Sequence, residues 1–520
     1  MKKKSFQRLT ARCLAWWLLL LALPLRAEPD PPGSTVLFAF DDVWLPFQQG
    51  VRLNMLSYES QGLPGTKGNQ VVAPGPGVSD SNGIIYYGSV CEVNGELLMW
   101  YLGLGNREPG DPEGEAAGTR GQIYRVHLAK SRDGRHWDKP KLRVVEYGGT
   151  RDNNLVDLGG GSFSVVACSV LFDPEDPDPA RRFKMAFESA KYNKRLAVAF
   201  SADGIHWRES SANPVGPTLE MCGLTKWNRA YYVNGQGGSH WSQNVKARSL
   251  VTHMSYDFEQ WTTPTALGFR RDPVPPRVSP RTNSTDGEQV HLGAALWNRG
   301  NVIMGFYGQW HGHPSNDRRY VSIDTGFLLS HDAMHFTEPV PDFRIVQARE
   351  TPPWWLSSGK TMAMERAPAV MQGQGFANVG DETLFWYGIW VIPSAGVRLA
   401  RWERDRLGYL QPFLGRSGEA RVISAPIAIS GRPVTVSVNA AGLGQWSQIK
   451  VTMLDEQFHE LPGYTAKECT GPQQSGLHQR VTWGNNFRVS ASGAVRVCID
   501  FGGVRPEDLR LYAVYVEPAK

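Results

Sequence analysis

The sequence predicts an all-β chain, a five-bladed β-propeller followed by a C-terminal β-sandwich. Three observations carry the prediction. A Ser-x-Asp-Gly-x-x-Trp turn repeats along the middle of the chain. An apolar-aromatic strand recurs at a fixed place beside it. Past Gly408 both signals stop, while alternating strands continue.

The two best copies of the turn are Ser131-Arg-Asp-Gly-Arg-His-Trp137 and Ser201-Ala-Asp-Gly-Ile-His-Trp207. Ser255-Tyr-Asp-Phe-Glu-Gln-Trp261 and Ser330-His-Asp-Ala-Met-His-Phe336 are looser copies, and the four serines are 70, 54 and 75 residues apart. Asp-Gly is hairpin turn chemistry. A fixed core at irregular spacing marks one supersecondary unit repeated with loops inserted between copies. The companion strands are Leu97–Gly103, Phe183–Ser189, Ala230–Gln236, Val302–Gly308 and Leu384–Trp390. The fifth adds a unit whose turn, Arg401 to Gly408, is degenerate. Units of this length, rich in short strands and aromatics, suit four-stranded blades. An all-β sandwich with coincidental Asp-Gly turns is the plainer alternative.

In chain order, residues 1–27 join a basic start (Lys2, Lys3, Lys4, Arg8, Arg12) to a short apolar run, Cys13 to Leu25, and end in small Ala27. That is the pattern of a secretory signal, and the run is short for a bilayer span. The expected location is secreted or periplasmic, with no membrane contact after cleavage; an uncleaved anchor is the alternative. These residues hold six basic side chains and no acidic one, so their removal takes the formal charge from +5 to −1. A near-neutral chain offers no electrostatic case for nucleic acid or an anionic membrane surface. Residues 28–80 form a Pro- and Gly-rich lead-in with one strand-like run, Val36 to Phe40. It is expected to cover the rim or to lend a strand to the last blade. Residues 81–412 hold the five blades and residues 413–520 the sandwich, whose alternating runs include Val434 to Asn439 and Val495 to Phe501.

Five cysteines follow the signal. Cys91, Cys168 and Cys222 fall on the first strands of three consecutive blades and read as buried thiols. Cys469 and Cys498 are the best pair for a disulfide. No Cys-x-x-Cys spacing exists. Trp310-His-Gly-His313 offers only two ligands, so no metal and no cofactor is expected.

A signal, five blades with these turns and a C-terminal sandwich resemble secreted glycoside hydrolases of families 32 and 43. More narrowly, the chain resembles bacterial exported proteins related to the family 32 N-terminal domain. The resemblance implies a carbohydrate substrate or ligand and carboxylates at the axial mouth. Glycoside hydrolysis needs a protonated acid on the leaving oxygen and a second carboxylate as nucleophile or base. Glu220-Met-Cys-Gly-Leu-Thr-Lys-Trp227 matches the stretch that begins with the family 43 acid, which puts Glu220 in the general-acid register. The blade-two Asp is replaced by Ala167, and the blade-one Asp falls on Gly88. Asp80, in Asp80-Ser-Asn-Gly83, resembles a family 32 motif but lies several residues early. Glu188 is either a stand-in for the missing Asp or an ion-pair partner of Lys184 or Lys191, and Glu365 opens blade five as Glu220 opens blade three. Asn153, Asn154, His291 and Trp310 are the candidate substrate contacts. Two readings of different class remain: a hydrolase with an altered carboxylate set, and a non-catalytic carbohydrate-binding or scaffold propeller.

Overall fold

The computed structural model describes residues 31–59, 69–75, 79–109, 111, 122–237, 248–271, 287–315, 317–349, 367–390, 396–413, 420–429 and 431–519. Residues 1–27 therefore lie outside the described residues. Among the described residues the regular structure is β-strand, with short 3-10 turns and no α-helix. No helix there is long and apolar enough to cross a membrane.

Five groups of antiparallel strands follow one another. Sheet one comprises Ile84–Val93, Glu96–Asn106 and Gln122–Ser131. Sheet two comprises Ala167–Phe172, Phe183–Glu188, Leu196–Ser201 and Trp207–Glu209. Sheet three runs from Glu220–Trp227 through Ala230–Gly237 and Ser249–Ser255 to Ala266–Phe269. Sheet four runs from Glu288–Asn298 through Ile303–His311 and Ser322–Ser330 to Arg344–Gln347. Sheet five comprises Val370–Val379, Glu382–Ile389 and Val397–Glu403. The first strand of each sheet is its inner strand. Each inner strand packs on the next, and that of sheet five returns to that of sheet one, where Gln374 pairs in parallel with Ser89.

Polar side chains stitch these inner strands together. The Ser89 hydroxyl accepts from Val170 N at 2.8 Å, and Ser169 donates to Cys222 O at 2.9 Å. Gln372 Nε2 donates to Gly293 O at 2.9 Å, and Gln374 bridges to both backbone groups of Leu224. Inner strands buried on both faces leave few other partners for exposed backbone groups, so such bonds prevent desolvation losses.

The repeated turn has one geometry in four places. The serine hydroxyl accepts from the backbone N–H three residues on, at Gly134, Gly204, Phe258 and Ala333. One oxygen of the following Asp accepts from two more N–H groups, as Asp203 does from Ile205 and His206 at 2.8 Å each. Trp137, Trp207 and Trp261 donate their indole N–H to the carbonyls of Gly134, Gly204 and Phe258 at 2.9–3.0 Å. The fourth position has positive φ in all four copies, which Gly accepts freely and which Phe258 and Ala333 adopt at φ 68° and 64°. Adjacent sheets share these turns: Trp100 of sheet one donates to Gly204 O, and Trp386 of sheet five donates to Gly134 O. Burial pushes the Asp133 and Asp203 carboxyls up, but the neighbouring His ring and backbone N–H groups outweigh it and hold both at about 2. Asp203→Ala removes the acceptor for two N–H groups in a partly exposed turn. The expected cost is about 1 kcal/mol in urea unfolding. A variant as stable as wild type would show that the Ser and Trp contacts suffice.

The remaining strands build two more sheets around a separate apolar core. One orders Val51–Met55, Gly408–Pro412, Arg510–Pro518, Val434–Ala441 and Gly476–Arg480. The other is centred on Ala494–Gly503, which pairs with Arg421–Ile423 and Ser447–Leu454. The lead-in departs from its expected simplicity. Gln70–Val72 pairs with Val397–Glu403 of sheet five, and Tyr58–Glu59 pairs in parallel with Arg344–Gln347 of sheet four. Thr35–Phe38, however, pairs with Arg510–Pro518 along its whole length, and Val51–Met55 pairs with Gly408–Pro412. The N-terminal stretch is thus part of both halves. The expected Cys469–Cys498 disulfide is absent, and both are free buried thiols. Cys469 Sγ instead accepts from Val451 N at 3.3 Å and donates to Gly471 O at 3.1 Å. Cys91 and Cys168 lie on inner strands, where burial pushes each thiol up to about 12.

Candidate active site at the axial mouth

Inner strands of sheets one to five begin at one end of the ring, here the mouth. Glu220 opens the inner strand of sheet three there, and its register partner is Gln236. Burial raises its carboxyl above the ordinary glutamate range, opposed by Arg248, Lys194 and Arg318. Among the described residues, no side chain forms a salt bridge with Glu220, and the group stays half-buried.

Sheet one supplies Tyr87 to the same place. The strand bulges between Ile85 and Ser89. A Cβ at Gly88 would stand 2.0 Å from the Trp100 carbonyl oxygen, so no side chain fits at the position where the family resemblance expects an Asp. The bulge presents Tyr87 instead, and its ring packs against three separate apolar cores. Burial first, then the Glu220 charge, push the Tyr87 phenol well up.

Sheet two contributes Glu188, the last residue of its second strand and the register partner of Ala167. The carboxylate that resemblance places at 167 therefore has a neighbour one strand out, at the same level. Glu188 is buried.

Sheets four and five supply an aromatic cluster. His291 lies 5.9 Å from the Trp310 ring, 5.5 Å from Trp390 and 6.4 Å from Tyr87, centroid to centroid. Trp310 is fully buried, and the Arg248 guanidinium lies over it at 4.5 Å. Arg248 is anchored through its backbone, whose N–H donates to Gln289 Oε1 at 3.1 Å and whose carbonyl accepts from Val290 N. Trp310 is expected to touch sugar directly, but it has no exposed surface and its face is covered by Arg248. It is a floor rather than a platform. His291 is likewise buried, its ring enclosed by the cluster.

The other expected residues stand elsewhere. Asp80 has no exposure; it accepts from Tyr101 Oη at 2.8 Å, from Gly75 N at 3.1 Å and from Lys139 Nζ. That network closes with Asn154, which donates to Tyr101 Oη and Leu128 O at 2.8 Å. Beside it His127 Nδ1 donates to Arg125 O, leaving Nε2 to accept from the Ser79 hydroxyl at 2.6 Å. Burial lowers that imidazole to about 4. Asn153 spends its amide on Val145 O and Thr150 O, and its oxygen accepts from Leu155 N. Asp80, Asn153 and Asn154 therefore hold loops of sheet one, because each polar atom described here is turned inward. Glu365 lies outside the described residues. Among the described residues, no group of three or more His, Cys, Asp or Glu side chains is placed to hold a metal.

A cavity of about 430 Å³ lies at the far end of the ring, lined by later residues of all five inner strands, such as Val90, Val170, Leu224, Leu296 and Gln374. Three of its polar wall groups are engaged, Gln374 with Leu224, Asn298 with Lys226 O and Asn378 with Asp405, while the buried Ser34 hydroxyl has no partner. Those three amides are committed to the fold and are not available to orient a ligand. The mouth is the better candidate.

Tyr87, Arg248 and Trp390 are the mouth residues that sequence reasoning misses. Tyr87 is not a carboxylate, and it precedes Gly88, the position on which the ungapped register falls. Arg248 has no motif; only its tertiary neighbour Trp310 gives it meaning.

No protein family matches the chain by sequence, and no curated protein matches it. Several solved structures resemble it distantly. A glycosyl hydrolase from Bacteroides ovatus is 15% identical, with a TM-score of 0.41 over 68% of this chain and 95% of that one. A β-1,2-mannobiose phosphorylase from Listeria innocua, solved with β-1,2-mannobiose, is 13% identical, with a TM-score of 0.37 over 65% and 96%. A family 43 arabinoxylan arabinofuranohydrolase from Bacillus subtilis, solved with cellotetraose, is 10% identical, with a TM-score of 0.36 over 86% and 99%.

Proposed function

We propose that this chain is an exported five-bladed propeller with a C-terminal sandwich, and that it cleaves a polysaccharide or oligosaccharide at the axial mouth. One observation carries the reading. Glu220 heads an inner strand with its carboxyl raised by burial and in no described salt bridge, in a mouth lined by Tyr87 and the cations Arg248, Lys194 and Arg318. A carboxyl that keeps its proton to higher pH than a solvated glutamate, beside a cleft, suits general-acid catalysis. Glu220 gives its proton to the glycosidic oxygen as the C–O bond breaks. Glu188, level with Ala167, is the second carboxylate. It attacks the anomeric carbon or draws a proton from water, according to its separation from Glu220. The basic start and apolar run of residues 1–27 support export.

A non-catalytic carbohydrate-binding protein is the second reading. It is favoured by Gly88, where backbone contact excludes any carboxylate, and by Ala167. A polysaccharide panel scored separately for binding and for new reducing ends decides between them. The hydrolase reading expects both signals on the same polymer. Binding without reducing ends supports the second reading, and neither signal on any glycan removes both.

A further inference from the structure

The charge at the mouth is the feature that catalysis leaves unexplained. Three cations are near enough for their charge to act on Glu220, and they come from three separate elements. Lys194 sits in the turn that follows the short 3-10 helix Ala190–Tyr192 of sheet two. Arg248 immediately precedes the third strand of sheet three. Arg318 opens the 3-10 helix Arg318–Tyr320 between the second and third strands of sheet four. Their neighbours in sequence are neutralised: Lys191 pairs with Glu209 at 2.6 Å, and Arg319 pairs with Asp317. Among the described residues, Lys194, Arg248 and Arg318 form no such pair. Among the described residues, Glu288 also opens an inner strand here but is paired with Arg271 at 2.6 Å and His311 at 2.9 Å, which leaves Glu220 and Glu188 to face these three cations, with positive charge left over even when both are ionised. It grows when Glu220 carries the proton it needs for catalysis.

Arg248 is the best placed of the three. It is half-buried, and its guanidinium rests on the Trp310 face at 4.5 Å. Stacking of this kind fixes the plane of the fork, and a fixed fork meets a planar or trigonal oxyanion with two hydrogen bonds. Lys194 and Arg318 are exposed, where their charge can draw an anionic polymer in. Tyr320, 54% exposed beside Arg318 and 5.0 Å from the His313 ring, adds a flat apolar edge for a sugar ring.

We propose that the mouth takes an anionic saccharide, one whose sugar rings carry a carboxylate or a sulfate ester, with Arg248 holding the oxyanion and Lys194 and Arg318 attracting it. The proposal rests on the carbohydrate reading of this mouth and goes beyond it by naming the substrate class.

Matched polymers test it on the full mature chain. Polygalacturonate is compared with its methyl ester, and a sulfated galactan with its desulfated form, by affinity electrophoresis and calorimetry. One anionic polymer should bind about tenfold or more tightly than its neutral twin, and the preference should shrink with added salt. Which pair shows the difference identifies carboxylate or sulfate. Arg248→Gln should remove the preference. The doubly substituted Lys194→Gln, Arg318→Gln chain, altered only at exposed positions, should reduce it while leaving the fold intact by circular dichroism. Equal binding of charged and neutral twins overturns the anionic proposal and leaves the carbohydrate reading standing. Binding of none of the four, with none of the wider glycan panel, overturns both.

Discussion

Glu220→Gln should lose about 10² to 10⁴ in turnover while keeping its saccharide affinity nearly unchanged. The amide keeps the size of the side chain and its ability to hydrogen-bond, but it has no proton to give. The wild-type pH profile should carry the mark of the same group. Burial raises the Glu220 carboxyl above the ordinary glutamate range. The acid therefore stays protonated to higher pH than a solvated glutamate, and the fall in kcat/KM on the alkaline side should begin where this raised group ionises. In Glu220→Gln that limb should vanish from whatever activity remains. A variant with wild-type turnover, or with the limb unchanged, would place the acid elsewhere.

The largest stability effect is expected far from the mouth. Asp405, in the turn after the third strand of sheet five, is 1% exposed. It receives Arg299 Nη1 at 2.6 Å, Tyr515 Oη at 2.8 Å and Asn378 Nδ2 at 3.2 Å, while its own N–H donates to Thr383 Oγ1. Arg299 follows the inner strand of sheet four, and Tyr515 lies on Arg510–Pro518 of the second half. One buried carboxylate thus ties sheets four and five to the C-terminal strands. Asp405→Ala takes away the carboxylate that Arg299 meets at 2.6 Å while that guanidinium stays buried, which costs about 3–5 kcal/mol. The Arg299→Ala, Asp405→Ala double substitution should cost less than the two singles added together. Urea unfolding of the three variants checks both statements, and a single-variant loss under about 1 kcal/mol would refute the first. Burial pushes the Asp405 carboxyl up, but Arg299 outweighs it and the group ends below its ordinary value. A depressed carboxyl contributes its stability above the unfolded-state pKa, near 3.9. That contribution fades as pH falls through the folded value, so the gap between wild type and Asp405→Ala should narrow only in strong acid.

The repeated turn was legible in the sequence because its chemistry is local. Ser201, Asp203, Gly204 and Trp207 satisfy one another within seven residues, so the motif carries its own geometry. Glu220 could be placed at the head of a strand because the Trp227–Ala230 turn fixes where that strand folds back. What the sequence withheld depends on distance. Thr35–Phe38 carries no mark of a strand partner near the other terminus, since backbone pairing is indifferent to separation along the chain. Tyr87 was hidden by a bulge: counting back from the Asn94-Gly95 turn without a gap lands on Gly88, while the extra residue hands the axial place to its neighbour. Asp80 and Asn154 looked like ligand-binding groups because exposed and buried polar residues read alike in one dimension. In three, both are committed to Tyr101. Cys469 and Cys498 are the remaining thiols of a chain expected to be exported, and that expectation alone cannot show whether two thiols meet; here both are free.

The most direct test of the account is a crystal structure of Glu220→Gln with a bound oligosaccharide from whichever polymer the panel identifies. A bridging glycosidic oxygen is expected within about 3.2 Å of the side-chain amide at position 220. An anionic substituent is also expected against Arg248, and no sugar in the far cavity beside Trp297 and Phe376. Sugar bound in that far cavity, or at the mouth with its glycosidic oxygen out of reach of position 220, would contradict it.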